Sequence, residues 1–148
     1  MMKIKKISSL PEEVIALFGE YAQKTYEKIK PFERLFYSRV RRMWLLSIDD
    51  KPICVIGVIQ GTLIGTGIEI FFFLCTEIEK HLRKLILFLR RAFYLAIKLF
   101  HVITVSIDNS YKVGARFVNF FGFRPTLSSS DFQDVSYIHY ELRQSWLR

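Results

Sequence analysis

The stretch VSIDNSYKVGARFVNFFGFRP, Val105 to Pro125, is the part of the chain whose reading decides the rest. An apolar run stops at Asp108-Asn109, a short helical period follows, and the pattern closes on Gly122-Phe123. Glycine enters the left-handed region cheaply at a helix C-terminus, so the segment reads as strand, polar break, helix and new strand.

Upstream, TEIEKHLRKLILFLRRAFYLAIKLF (Thr76 to Phe100) predicts the longest helix. Thr76 and Glu79 have the capping-box spacing. Leu82, Leu85, Ile86, Leu89, Phe93, Ala96, Ile97 and Phe100 share one face, and Lys80, Arg83, Lys84, Arg90, Arg91 and Lys98 share the other. Before it, RMWLLSID, the turn DDKP and ICVIGVIQG read as an antiparallel hairpin, GTLIG as a second reversal, and TGIEIFFFLC as a strand covered on both faces except near Glu69. MKIKKIS reads as an opening strand. SSLPEEVIALFGEYAQK is a well-signalled helix, and PFERLFYSRVRR a second helical piece with Leu35, Phe36, Val40 and Met43 inward. Downstream, FRPT is a brief strand, LSSSDFQD an exposed loop and VSYIHYELR a final alternating strand. The order is strand, two helices, three antiparallel strands, long helix, strand, helix and two strands, with a parallel crossover in the middle.

Composition narrows the functional classes. The chain has 148 residues, 51% of them hydrophobic and 16% aromatic, which predicts one compact domain over 1–148. The net charge of +8, from 22 Lys and Arg against 14 Asp and Glu, favours anionic partners. No signal-peptide pattern opens the chain, and Glu69, Arg90-Arg91 and Lys98 interrupt the apolar runs, so a cytoplasmic protein without a membrane span is expected. Cys54 and Cys75 lack CxxC or Cys/His spacing and read as buried reduced thiols. His81, His101 and His139 form no metal-ligand pattern, and no GxSxG elbow supports a serine nucleophile. The basic helix face carries no nucleic-acid reading motif and reads as a solvated surface.

The element order, Asn109 after a strand, and a helix with Ala115 and Phe117 ending at Gly122-Phe123 resemble the GNAT family of N-acetyltransferases over nearly the whole chain. The resemblance implies an α/β (α+β) fold: a mixed sheet of about seven strands, mostly antiparallel with a parallel splayed pair, flanked by about four helices. It also implies acetyl-CoA as donor and an amine as acceptor. On that pattern Phe73, Leu74, Cys75, Lys80, Arg83, Lys84 and Asn109 are the cofactor-binding candidates. Glu69 is the candidate base, or else a solvated glutamate at a strand start. Tyr111 is the candidate acid, because Val118 stands where many family members place tyrosine. The family's phosphate loop, Gln/Arg-x-x-Gly-x-Gly/Ala, is replaced by CTEIEKHLRKLIL, which has no glycine; basic side chains would substitute for backbone amides. With Thr76, Leu89 and Arg90, this segment also resembles glycine-poor GNAT-like proteins encoded by phages, which implies the alternative of a non-catalytic module in virion assembly or protein interaction. Phe120, Phe121, Tyr137, Tyr140 and Trp146 are then interface candidates, and an apolar last strand could pair in a homodimer.

Overall fold

A computed structural model describes residues 1–59, 67–132 and 135–146. The elements are β1 (Met2–Ile7), α1 (Glu12–Leu17), α2 (Glu20–Ile29), α3 (Glu33–Arg39), β2 (Val40–Ile48), β3 (Lys51–Ile59), β4 (Ile68–Leu74), α4 (Leu82–Phe100), β5 (Val102–Asp108), α5 (Lys112–Phe120), β6 (Arg124–Phe132) and β7 (Val135–Arg143). The seven strands form one sheet in the order β1-β2-β3-β4-β5-β7-β6. The β1/β2, β2/β3, β5/β7 and β6/β7 pairs are antiparallel, whereas β4 and β5 are parallel, with Ile68 opposite Ile103 and Glu69 opposite Thr104. The mixed sheet with one parallel pair is the architecture the sequence predicts.

The chain divides into two compact units, Met1–Gln60 with Ile70–Leu82 and Gly61–Glu69 with Arg83–Arg148. In the first, β2 and β3 join through Asp49 and Asp50, whose φ of 51° and 64° mark a two-residue turn with both central residues left-handed. Met43, Leu46, Ile53, Val55, Ile15 and Ile78 are fully buried in this unit. The expected first helix is broken into α1 and α2 at Gly19, which has φ 106°. A Cβ there would lie 2.7 Å from Thr76 Cγ2, so close packing as well as backbone conformation selects glycine. Leu35, expected to face inward on α3, is 62% exposed.

In the second unit, β5 alternates as a half-buried strand should: Ile103, Val105 and Ile107 are buried, in register with Leu142, Tyr140 and Ile138 of β7. The buried stripe of α4 is Leu85, Leu89, Phe93 and Ile97; Phe100, expected with them, is exposed. α4 ends at His101, whose φ is 62° and whose amide donates to Ile97 O at 2.9 Å. α5 ends as predicted at Gly122, φ 92°. The amide of Gly122 donates to Asn119 O at 3.0 Å and that of Phe123 to Val118 O at 3.1 Å, the two bonds of a Schellman motif. Phe117, Phe120 and Phe93 each meet Phe121 edge-on, and Phe93 also meets Phe123, with centroids 5.1 to 5.5 Å apart.

Two further expectations change. The capping box at Thr76 does not form. The chain instead makes a 3-10 turn over Ile78–His81 before α4 begins, with Ile78 N donating to Cys75 O and no side-chain cap on that turn. The segment 127–134, expected as a loop, is strand through Phe132, because β6 pairs with β7 from Ser129 opposite Ile138 to Phe132 opposite Val135. The GTLIG reversal lies outside the described residues.

Candidate active site

Strand register fixes which side chains share a surface in the second unit. Glu69 is opposite Thr104, Thr104 opposite Glu141, Ser106 opposite His139, and Asp108 opposite Tyr137. Side chains alternate along a strand, so these seven lie on one face of the β4–β5–β7 ladder, and all seven are half-buried. The opposite face, with Ile103, Val105, Ile107 and Leu142, packs under the helices: a Cβ on Gly114 of α5 would sit 3.4 Å from Ile107 Cγ2, and Phe93 of α4 shares a hollow with Leu142.

The polar face is internally bonded. Ser106 Oγ and His139 Nδ1 are 2.7 Å apart, a hydrogen bond whose direction is set by the imidazole tautomer. Thr104 Oγ1 donates to Ile68 O at 3.4 Å. Glu141 accepts from Arg143 at both oxygens, at 2.8 and 3.0 Å, a bidentate pair. Asp108 Oδ1 accepts from the amide and hydroxyl of Ser110, both at 2.8 Å, closing the turn before α5. Burial, then the charge of Asp108, pushes the Tyr137 hydroxyl above its ordinary pKa. Sequence reading did not pair His139 with Ser106. Each sits at an alternating strand position, but only the β5/β7 register brings them together.

Tyr111 stands at the start of α5, half-buried, with its amide on Asp108 O at 2.9 Å. Its ring lies over Gly114, where a Cβ would come within 2.5 Å of Cδ2. Asn109 is exposed and its backbone amide donates to Ser136 O at 2.8 Å. Val118 is 2% exposed, an apolar core residue with no proton to give.

In the first unit, Phe73, Leu74 and Cys75 are buried at the end of β4. The Cys75 amide donates to Ile53 O on β3 at 3.0 Å. Amides alternate edges along a strand, so the Leu74 amide points away from β3. Both thiols are free; burial pushes each up from its ordinary pKa, and Cys75 adds to the effect on Cys54. The turn that follows mixes charges. Lys80 Nζ is 3.1 Å from Glu77 Oε1, and Lys51 Nζ is 3.7 Å from Glu77 Oε2. The Lys80 hydrogen bond, then the two lysine charges, hold the Glu77 carboxyl below the usual range. His81 Nε2 is buried without a hydrogen-bond partner among the described residues. Arg83 and Lys84, exposed, begin α4, and Leu85 beside them is fully buried. The positions where a glycine cradle would admit a pyrophosphate thus carry side chains. Among the described residues, no group of three His, Cys, Asp or Glu is placed to hold a metal ion.

No protein-family model matches the chain and no curated protein matches it. Solved structures do. A probable acetyltransferase from Staphylococcus epidermidis superposes with a TM-score of 0.68 at 14% identity, covering 97% of this chain and 99% of that one. An IAA acetyltransferase from Bacillus cereus gives 0.66 at 14% identity, covering 97% and 99%. A GNAT family acetyltransferase from Elizabethkingia anophelis, solved with acetyl-CoA bound, gives 0.64 at 11% identity, covering 96% and 97%. At these identities the likeness shows architecture, and by that measure the chain has the GNAT acetyltransferase fold.

Proposed function

We propose that the chain is an acyl-CoA N-acyltransferase that moves an acetyl group from acetyl-CoA to an amine. The observation that carries this reading is the parallel β4/β5 register at Glu69 and Thr104, from which a half-buried polar strip continues along β5 and β7. The bound acetyl-CoA of the Elizabethkingia structure supports the choice of donor.

In this reading Lys80, Arg83 and Lys84 hold the donor's phosphates by charge, while Phe73, Leu74, Cys75 and Asn109 border its thioester arm. The Leu74 amide polarises the carbonyl, worth about 3 kcal/mol of barrier for one well-placed donor. The amine nitrogen bonds to the carbonyl carbon and the carbon–sulfur bond breaks. Glu69 accepts the proton the amine loses, and Tyr111 returns one to the departing thiolate. Glu69, Asp108 and Glu141 on the strip suit an acceptor that arrives as a cation.

A second reading, a non-catalytic module of the same fold, is favoured by Val118 in the core and by the missing glycine cradle. Calorimetry with acetyl-CoA separates the two. Micromolar binding weakened by Arg83→Ala and Lys84→Ala, followed by amine-dependent thiol release, supports the transferase. Absence of heat and of any thermal shift at millimolar donor sinks it.

A further inference from the structure

The outward face of α4 departs from an ordinary solvated helix. Leu87 is 80% exposed, Leu99 73%, Leu95 54% and Tyr94 49%. At about 100° per residue these four fall with Arg91 and Lys98 in one arc of about 140°, so leucines and cations are interleaved rather than separated. α4 and α5 together carry seven Lys and Arg and no Asp or Glu. Beside the arc opens a hollow of about 400 Å³ lined by Phe93, Tyr94, Phe121 and Leu142, with Arg90 and Arg91 on its wall. Lys98 Nζ already stands 4.4 Å over the Tyr94 ring.

We propose that this face of α4 docks on an anionic lipid surface. Exposed leucines beside cations are costly in water but suit a bilayer interface, where apolar tips enter the headgroup boundary and Lys and Arg stems snorkel to phosphate. A protein partner fits less well, because interface cores are depleted in lysine, and here Lys98 stands amid the exposed leucines. The all-cationic arc selects anionic lipid. The arginine-walled apolar hollow accommodates a phosphate headgroup with the first part of its acyl chain. No helix among the described residues is long and apolar enough to cross a membrane, so the contact is interfacial.

The test is flotation of the full chain with phosphatidylcholine vesicles, with and without phosphatidylglycerol. Binding is expected only with the anionic lipid. It should be lost between about 0.01 and 1 M salt, as the Debye length falls from about 30 to about 3 Å. Arg91→Glu with Lys98→Glu should abolish it, and Leu87→Ser with Leu99→Ser should weaken it by about tenfold or more, with circular dichroism and melting retained. Four results overturn the proposal: no flotation, equal binding to neutral vesicles, binding that neither double variant changes, or sedimentation showing that the leucines hold two copies of the chain together.

Discussion

Replacing Gly122 by alanine isolates one cause of the turn that ends α5. The residue has φ 92°, a conformation that costs a residue with a Cβ about 1–2 kcal/mol. Space is not the difficulty: the added Cβ would lie 3.6 Å from Leu142 Cδ1, an ordinary contact. Alanine also narrows the unfolded ensemble, which offsets about 0.4–1 kcal/mol. The expected net loss is about 1 kcal/mol, or a melting temperature lower by about 2–4 °C in a chain of this size. Gly122→Asn is larger, yet asparagine tolerates the left-handed region, so it should lose less than alanine. The assay is urea and thermal unfolding followed by circular dichroism, with unchanged urea slope as the check that only stability moved. An alanine variant as stable as the parent, or an asparagine variant worse than alanine, would refute the conformational account. The second result would mean that the site is limited by volume.

Gly114→Ala reverses the logic, because the helix interior favours alanine but its Cβ would come within 2.5 Å of the Tyr111 ring. If Tyr111 returns the proton, this variant and Tyr111→Phe should both lower kcat by about tenfold or more with KM little changed; unchanged kcat in Tyr111→Phe removes that role. Glu77→Gln should tighten acetyl-CoA binding in calorimetry, since it removes an anion and releases Lys80, and the gain should fade at high salt; weaker binding would contradict charge capture. The thiols give a pH test. Burial raises their pKa in the folded chain, so stability is complete below the ordinary thiol value and falls as pH rises above about 8.5, by up to about 1.4 kcal/mol per unit for one fully buried thiol. Urea midpoints between pH 8 and 10 should therefore fall less steeply in Cys54→Val, and a thiol reagent should reach Cys54 only on unfolding.

Legibility in the sequence followed the range of the interaction concerned. The Gly122 turn, the Asp49-Asp50 hairpin and the α4 stripe arise from neighbours in the chain, and their residue types announce them. Gly19 falls inside the expected SSLPEEVIALFGEYAQK helix, and the packing that requires it, against Thr76, comes from far along the chain. Thr76 itself satisfied a capping pattern that the 3-10 turn at Ile78 displaced. Ser106 and His139 are separated by thirty-three positions and meet only through register, which an alternating strand pattern does not specify.

Charge in the second unit is sorted by layer. The helical layer, α4 and α5, is wholly cationic, while Glu69, Asp108 and Glu141 stand on the sheet face turned away from it. A net charge of +8 therefore understates the separation within this unit, where α4 and α5 carry seven Lys and Arg and no Asp or Glu. Two partners of opposite sign can approach such a unit without competing: phosphate-bearing groups toward the helices, and a protonated amine toward the strip. The Glu141–Arg143 pair partly neutralises one carboxylate, and Asp108 is committed to the turn at Ser110. Glu69 is the carboxylate of the strip that lies on the parallel pair itself, opposite Thr104, where the proposed chemistry requires a proton acceptor. Lysine at that position would carry a cation into the strip, whereas glutamine would keep its shape and remove the base. A loss of transfer in both variants, with donor binding intact, is what separates a base from a structural glutamate.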